Sequence, residues 1–125
     1  MTNWSKENIL NIDVSGKSYL EAIRCAQDNI GFFIKVFQSA DATDFVFFIK
    51  AKFEDDNYIE HLWLKLISVM DDSFTTIVDN EPDNLAHIKY KDIIVVNKSS
   101  IEDWIIKLDT GEIFGNFIFR SLQEK

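Results

Sequence analysis

The first pattern along the chain is a series of apolar residues at spacings of three and four, between residues 17 and 39. This spacing predicts an amphipathic helix over 17–39 that packs on a core along one side. Its apolar positions are Tyr19, Leu20, Ile23, Ala26, Ile30, Phe33, Ile34 and Phe37. Gly31 is a weak point, because glycine costs about 1 kcal/mol against alanine inside a helix. Cys25 lies beside the apolar positions and is expected to be a core residue rather than a nucleophile.

After residue 44 the pattern changes to the alternation and β-branched or aromatic content of strands. Residues 45–53 and 58–70 are two such runs, and the polar turn 54–57 joins them into a hairpin. The remaining predicted elements are strands at 74–78 and 92–96, a helical turn at 101–104, and a last hairpin of 105–108 and 112–120. Residues 1–14 form a mixed lead-in.

Several strands are apolar on both faces. In the run 58–70, Leu62, Leu64 and Leu66 point one way, while Ile59, Trp63, Ile67 and Val69 point the other way. One helix covers one face, so we expect the sheet to curl on itself to bury the other. The sequence therefore predicts a single α+β domain over 1–125, in which a long N-terminal helix packs on a strongly bent, partly barrel-like antiparallel sheet over 45–122, with about five or six strands.

Composition narrows the class of partner. The 125 residues suit one domain, and 21 acidic against 13 basic residues give a net charge of −8. This charge repels phosphates, so we expect neither nucleic acid nor an anionic membrane as a partner, whereas a basic protein would be attracted. The alternative is that the charge only keeps a Phe-rich domain soluble. A single cysteine, no signal peptide and no apolar stretch of membrane-spanning length favour a cytoplasmic location.

The common catalytic motifs are absent from the sequence. It contains no phosphate-binding glycine loop, no dinucleotide fingerprint and no nucleophile elbow. One cysteine and two histidines argue against a thiolate or multi-histidine metal site. We therefore expect no cofactor, no metal and no assignable catalytic residue.

Polar and aromatic residues in or beside the strands remain as candidates for a ligand site. His61, between Glu60 and Trp63, is either a general base or stacking platform, or a half-buried strand histidine with a satisfied hydrogen bond, which we favour. Asn80 lies in the breaker segment 79–84, which is read as a turn rather than a cation site because calcium-loop spacing is absent.

Two further candidates lie near the end of the sequence. Trp104 is either a core residue, with Asp103 capping backbone amides, or the aromatic floor of a binding surface. Arg120 is either the partner of a buried carboxylate or a bidentate anion binder.

Taken in order, these motifs resemble one bacterial family. The residues that carry the resemblance are Ile49-Lys50-Ala51, Glu60-His61-Leu62-Trp63, Asp79-Asn80-Glu81-Pro82, Asp92 to Val96, Ile101-Glu102-Asp103-Trp104 and Gly115 to Arg120. Their order and spacing are similar to those of the domain of unknown function 2314. The chain departs from that pattern at Lys91, where the family usually has glycine. The resemblance implies a fold and a bacterial origin, and it implies no activity.

Three functional hypotheses follow. The first is a non-enzymatic protein-binding module, in its concrete form an immunity or antitoxin-like protein that masks a basic toxin. Its acidic loop positions would be Asp55, Asp56, Asp71, Asp72, Glu81 and Asp83. The alternative is a small enzyme or ligand-binding domain with a pocket around Glu60, His61, Trp63, Asn80, Asp103 and Trp104. The third is a scaffolding domain without a discrete site.

Overall fold

The computed structural model describes residues 17–39, 44–83 and 85–123, so the lead-in 1–14 lies outside the described residues. The helices in order are α1 (Lys17–Asp28), α2 (Ile30–Phe37) and α3 (Phe117–Gln123). The strands are β1 (Val46–Glu54), β2 (Ile59–Met70), β3 (Ser73–Val78), β4 (Ile93–Asn97), β5 (Ile101–Lys107) and β6 (Ile113–Gly115). These bounds confirm the α+β class and the first four predicted strands.

The predicted single helix over 17–39 is wrong, because the chain forms two helices that meet at Asn29. Asn29 leaves ideal helical geometry at φ −108° and ψ 9°. Its side-chain amide and its backbone N–H both donate to the carbonyl oxygen of Cys25, at 2.8 Å and 3.1 Å, so the side chain competes with the backbone for one acceptor, as asparagine does inside helices. The interruption thus lies two residues before Gly31, the position expected to be weak.

The six strands form one antiparallel sheet in the order β4-β3-β2-β1-β5-β6. The expectation of a strongly bent, partly barrel-like sheet is wrong, because the sheet is neither closed nor strongly curled. The apolar residues on both faces of the strands predict burial of both faces throughout the sheet. Instead, Ile67, Ile93 and Val95 are exposed on the second face.

The helix face of the sheet, marked by Ile49, Leu64 and Trp104, carries the main core. Ala26, Ile30 and Phe33 of the two helices pack into it. The aromatic rings of Phe33 and Trp104 lie 5.1 Å apart, and the indole N–H of Trp104 donates to the carbonyl oxygen of Ala26 at 3.0 Å. The opposite face, which we call the second face, carries a smaller buried cluster of Phe48, Trp63 and Ile105.

The last part of the chain differs from the predicted hairpin of 105–108 and 112–120. β6 has only three residues, and the chain then turns into α3. Gly115 and Asn116 have positive φ values of 87° and 62°, which end the strand because extended backbone has negative φ. Arg120 therefore lies on a helix and not in a final strand.

The region before β5 also differs from its prediction. The predicted helical turn at 101–104 is wrong, because these residues begin β5. The turn lies one step earlier, as a 3₁₀ helix over Lys98–Ser100, where the side chain of Asn97 accepts a hydrogen bond from the backbone N–H of Ser99 at 2.9 Å. The side chain that caps this turn is thus that of Asn97.

Lys91 adopts a φ of 74°, in the left-handed region that favours glycine. The backbone N–H of Lys91 donates to the carbonyl of Val78 at 2.8 Å, and the amide of Val78 donates to the carbonyl of Asp92 at 2.8 Å. The turn into β4 is therefore formed with a lysine at a position whose conformation suits glycine.

Of the helices in the described part of the chain, none combines the length and the apolar character needed to cross a membrane.

Candidate functional site

A row of three side chains crosses the second face of the sheet. In the strand register, Lys50 of β1 lies directly between Trp63 of β2 and Asp103 of β5. All three residues are buried. The Lys50 ammonium lies 5.8 Å from the centroid of the Trp63 ring, within the range of a cation–π contact. The pairing of the strands thus brings an amine, an indole and a carboxylate together.

A β-bulge adds a second carboxylate to this row. Lys50 pairs with Asp103, but the next residue, Ala51, pairs with Ile101, so Glu102 is the extra residue of the bulge. Bulges redirect side chains, and Glu102 reaches His61 of β2. The Glu102 Oε1 and His61 Nδ1 atoms are 2.7 Å apart. Because an ionised carboxylate only accepts, we assign the proton of this hydrogen bond to Nδ1.

Helix α1 contributes the last member of the group. The Tyr19 hydroxyl donates to Glu102 Oε2 at 3.1 Å and lies 3.4 Å from His61 Nδ1. Burial and the neighbouring charge of Glu102 raise the pKa of Tyr19, so the hydroxyl stays protonated. We call these side chains the polar cluster: Tyr19, Lys50, His61, Trp63, Glu102 and Asp103.

Lys50 is the unusual member of the polar cluster. Its side chain is 2% exposed, and it has no hydrogen bond or ion pair with any residue in the described ranges. Burial lowers the pKa of Lys50, while the charges of Asp103 and Glu102 raise it in part. A buried amine supported mainly by an indole and by nearby carboxylates is a group with a perturbed proton affinity, and such groups are enriched at functional sites.

Asp103 has a structural role that links the sheet to α3. Its Oδ1 accepts hydrogen bonds from the backbone amides of Trp104 at 2.8 Å and Phe117 at 3.0 Å, and its Oδ2 accepts from Ile118 at 3.0 Å. Two of these amides belong to the first turn of α3, where no backbone acceptor exists. Asp103 therefore caps the helix from a distant strand, which confirms the interpretation that it caps backbone amides.

The remaining members of the predicted ligand pocket lie elsewhere. Trp104 is 2% exposed in the core of the helix face. Glu60 also points away from His61, and its carboxylate accepts from the backbone amides of Asp83 at 3.0 Å and Leu85 at 3.2 Å. Asn80 is exposed in that loop. Of the six predicted residues, only His61, Trp63 and Asp103 come together.

Acidic loops converge at one end of the sheet. The β1–β2 turn carries Asp55 and Asp56, and the loop after β3 carries Glu81 and Asp83. The two segments are close, because the Asp55 carboxylate interacts with the backbone of Ala86 and with His87. We call Asp55, Asp56, Glu81 and Asp83 the acidic end. Asp71 and Asp72 lie in the β2–β3 turn at the other end of β2, about 40 Å away for 12 residues at 3.3 Å each.

Arg120 lies apart from both groups. It lines a groove of 420 Å³ between α1 and α3, together with Ser18, Glu21 and Cys25. Its guanidinium lies 5.0 Å from the centroid of the Phe117 ring, and it forms no ion pair with a carboxylate among the described residues. Cys25, expected in the core, is exposed there.

Within the described ranges, no three His, Cys, Asp or Glu side chains form a group that suits a metal ion.

Sequence reasoning missed three members of the polar cluster, Tyr19, Lys50 and Glu102, as site residues. Lys50 stood out only as a motif position in the family resemblance. A lysine in a run of otherwise apolar strand residues was a usable signal, because such a run predicts a buried strand. The role of Glu102 could not be predicted from a comparable signal, because a one-residue bulge cannot be recognised in the alternation of apolar and polar residues.

Comparison with known proteins gives a family and no activity. Residues 17–125 match the family model described as "Uncharacterized protein conserved in bacteria (DUF2314)". A protein of Escherichia coli (strain K12), "Uncharacterized protein YegJ", is 28% identical over 85 residues, which cover 68% of this chain and 54% of that protein. The chain therefore spans about half the length of this curated relative. No solved structure matches the chain.

Proposed function

The chain belongs to the bacterial DUF2314 family, whose description assigns no activity, so we propose a function from the surface of the protein itself. We propose that it is a cytoplasmic protein-binding module, of the immunity or antitoxin type, whose acidic end docks on a basic surface of a toxin. The overall charge of −8 favours the encounter, and the local carboxylates would give the specificity.

The observation that carries this proposal is that carboxylates fix described backbone amides of both acidic loops by hydrogen bonds. The Asp55 Oδ1 accepts from the backbone amides of Asn57 and Tyr58, each at 2.9 Å. These two hydrogen bonds lower the pKa of Asp55, so it stays ionised. The buried carboxylate of Glu60 holds the second loop through two amides. Loops that are already ordered lose little conformational entropy on binding.

Apolar side chains beside the carboxylates supply the other part of a docking surface. Tyr58 and Ile59, which follow the β1–β2 turn, are 49% and 54% exposed. Interfaces concentrate binding energy in a few anchors such as tyrosine, surrounded by polar residues. Tyr58 among Asp55 and Asp56 fits this arrangement and suits a basic, partly apolar partner.

The binding test uses, as the candidate toxin, the protein encoded by the gene adjacent to the gene of this protein. We expect the two proteins to co-purify, and binding to weaken as salt is raised. Reversing the charge at Asp56 and Glu81 with lysine should weaken binding about ten-fold or more, because close charges of one sign would then face the basic partner. Isothermal titration calorimetry measures the change.

The matched control reverses Asp72 and Asp109 to lysine, which changes the net charge equally but lies in turns outside the acidic end. The Kd of this control for the partner should lie within about two-fold of that of the unchanged protein, because salt screens exposed charges that are far from the binding surface. Equal losses in both variants, or no binding and no protection of cells from the neighbouring toxin, would contradict the proposal.

A second candidate function is favoured by Lys50. As an alternative we propose a small-ligand or enzymatic site at the polar cluster, in which Lys50 would contact the ligand and the Glu102–His61 pair would move a proton. The buried amine without a hydrogen-bond acceptor among the described residues is the observation behind it. A purely structural lysine would instead serve only to offset the charge of Asp103.

Reductive methylation with formaldehyde and cyanoborohydride distinguishes these roles. If the site opens to small molecules, Lys50 should be methylated at neutral pH at least as fast as Lys52, because a lowered pKa leaves more of the amine neutral and nucleophilic. Lys52, exposed on the same strand, is the internal control, and peptide mass spectrometry follows both residues. If Lys50 is methylated only when the protein unfolds, the site is closed and this candidate is wrong.

A further inference from the structure

Strand β4 forms one edge of the sheet, and within the described ranges no strand lies beyond it. The amide of Val78 donates to the carbonyl of Asp92, which therefore points towards β3. Backbone direction alternates along an antiparallel strand, so Ile93, Val95 and Asn97 direct their N–H and C=O groups away from the sheet. These groups form a row that a further strand would pair with.

The β4 edge has few of the features that prevent strand pairing. Its sequence, Ile-Ile-Val-Val-Asn, contains neither proline nor a charged residue. Ile93 and Val95 are 66% and 63% exposed on the second face. The edge at β6 is different, because it has three residues and ends at Gly115 with a φ of 87°. An apolar, regular edge at one side of the sheet only is typical of a strand that pairs with another chain.

We propose that β4 pairs in antiparallel register with β4 of a second copy of this chain, about a two-fold axis at Val95. Val95 then lies opposite Val95 of the other copy, and Ile93 lies opposite Asn97 of the other copy. All three of these residues present outward backbone groups, so the ladder closes without a bulge. The two six-stranded sheets become one continuous sheet, with Ile93 and Val95 of both copies side by side.

Charge complementarity supports a second copy as the occupant. The same register places Asp92 of each copy opposite Lys98 of the other copy, and the two-fold axis creates this pair twice. A symmetric interface of this kind is closed, so it yields a dimer and not a fibre. An unrelated strand would have to supply an acid and a base at matching positions, whereas a second copy supplies them by identity.

Sedimentation velocity and light scattering over a wide concentration range test the proposal. We expect the unchanged protein to have twice the chain mass of 14.6 kDa. Val95→Pro and Val95→Lys should be monomeric. The proline removes an N–H that points outward and leaves the β3–β4 hydrogen bonds intact, and the lysine places like charges together at the axis. Ile113→Lys, on the other edge strand, is the matched control and should remain dimeric.

A charge exchange tests the register. Lys98→Glu and Asp92→Lys should each weaken the dimer about ten-fold or more, because each brings like charges together twice. Mixed in equal amounts, the two variants should associate with each other, because the mixed dimer again has one acid opposite one base at both positions. Circular dichroism checks that every variant is folded.

Three results would overturn the proposal. They are a monomer for the unchanged protein at all concentrations, a dimer that persists in both folded Val95 variants, or two charge variants that do not associate when mixed. None of these results bears on the acidic end, so the dimer and the proposed docking function fail independently.

Discussion

At the scale of single residues, Lys91 and Gly115 both adopt positive φ, at 74° and 87°, and only one of them is glycine. A Cβ atom at Gly115 would overlap the carbonyl oxygen and the indole ring of Trp104. Gly115→Ala should therefore lower the free energy of unfolding by about 3 kcal/mol or more, from overlap and strain together. Lys91→Gly should raise it by about 0.5–1 kcal/mol, because the relief of left-handed strain, about 1–2 kcal/mol, outweighs the chain entropy that glycine gains in the unfolded state.

Urea unfolding measures both changes through the transition midpoint at constant slope. Gly31→Ala is the control, because a Cβ atom there meets nothing within 4 Å and the residue lies in a helix. This variant should be more stable by about 0.5–1 kcal/mol. If Gly115→Ala is as stable as Gly31→Ala, the close approach of the chain to Trp104 is not as tight as described.

The residues of the polar cluster differ in how far they could be predicted. His61, Trp63 and Asp103 are chemically distinctive side chains beside recognisable strand patterns, and strand alternation correctly put His61 and Trp63 on one face. Glu60 and Trp104 do not lie beside His61, Trp63 and Asp103, because the alternation of the strands places Glu60 and Trp104 on the helix face of the sheet. Tyr19 joins the polar cluster through its hydrogen bond to Glu102, which lies 83 positions later in the chain, and no local sequence pattern encodes such a contact.

At the scale of elements, strands that alternate regularly were predictable and interruptions were not. β1 to β4 follow their periodic runs closely, because burial of one face imposes a period of two. α3 is the clearest failure, since Phe117 to Arg120 has high strand propensity. The helix forms there because Asp103, 14 residues away from Phe117, accepts the amides of its first turn. A cap from a distant strand overrides local preference, and only the tertiary structure shows it.

The first half of β5 shows the same dependence on distant partners. β6 pairs only with Ile105, Ile106 and Lys107, so the carbonyl of Ile101 has no strand on its outer side. The side-chain amide of Gln27 in α1 donates to the carbonyl oxygens of Ile101 at 2.7 Å and of Lys98 at 3.0 Å. The edge next to the bulge is thus satisfied by a helix, which also holds Tyr19 close to Glu102.

At the scale of the whole molecule, the class and strand number followed from the sequence, and the curvature did not. Apolar residues on both faces of the strands predict that both faces of the sheet are buried. In the structure, Phe48, Trp63 and Ile105 are buried on the second face, while Ile67, Ile93 and Val95 remain exposed at the side formed by β2 to β4. A surplus of apolar residues in strands therefore predicts either curvature or an interaction surface, and periodicity alone does not separate them.

The stability of the whole molecule should depend on pH through Asp103. Burial raises the pKa of Asp103 to about 6 from an ordinary value of 3.8, although three backbone amides and Lys50 oppose the shift. The folded protein thus binds this proton more tightly than the unfolded chain does. Its stabilising contribution is complete below about pH 4 and is lost as the pH rises through 6, by about 3 kcal/mol in total. The lowered pKa of Asp55 acts in the opposite sense and only below its ordinary value of 3.8.

We therefore expect the unchanged protein to lose stability in urea between pH 4.5 and pH 7, and Asp103→Asn to lose clearly less over the same range. Acidification also relieves the repulsion within a chain of charge −8, but this effect is shared by both proteins, so the difference between their pH slopes isolates Asp103. Asp103→Asn will be less stable at every pH, because an amide NH₂ replaces one acceptor of the α3 amides. Parallel slopes would mean that Asp103 titrates alike in the folded and unfolded states, and that hydrogen bonds from α3 fully offset its burial.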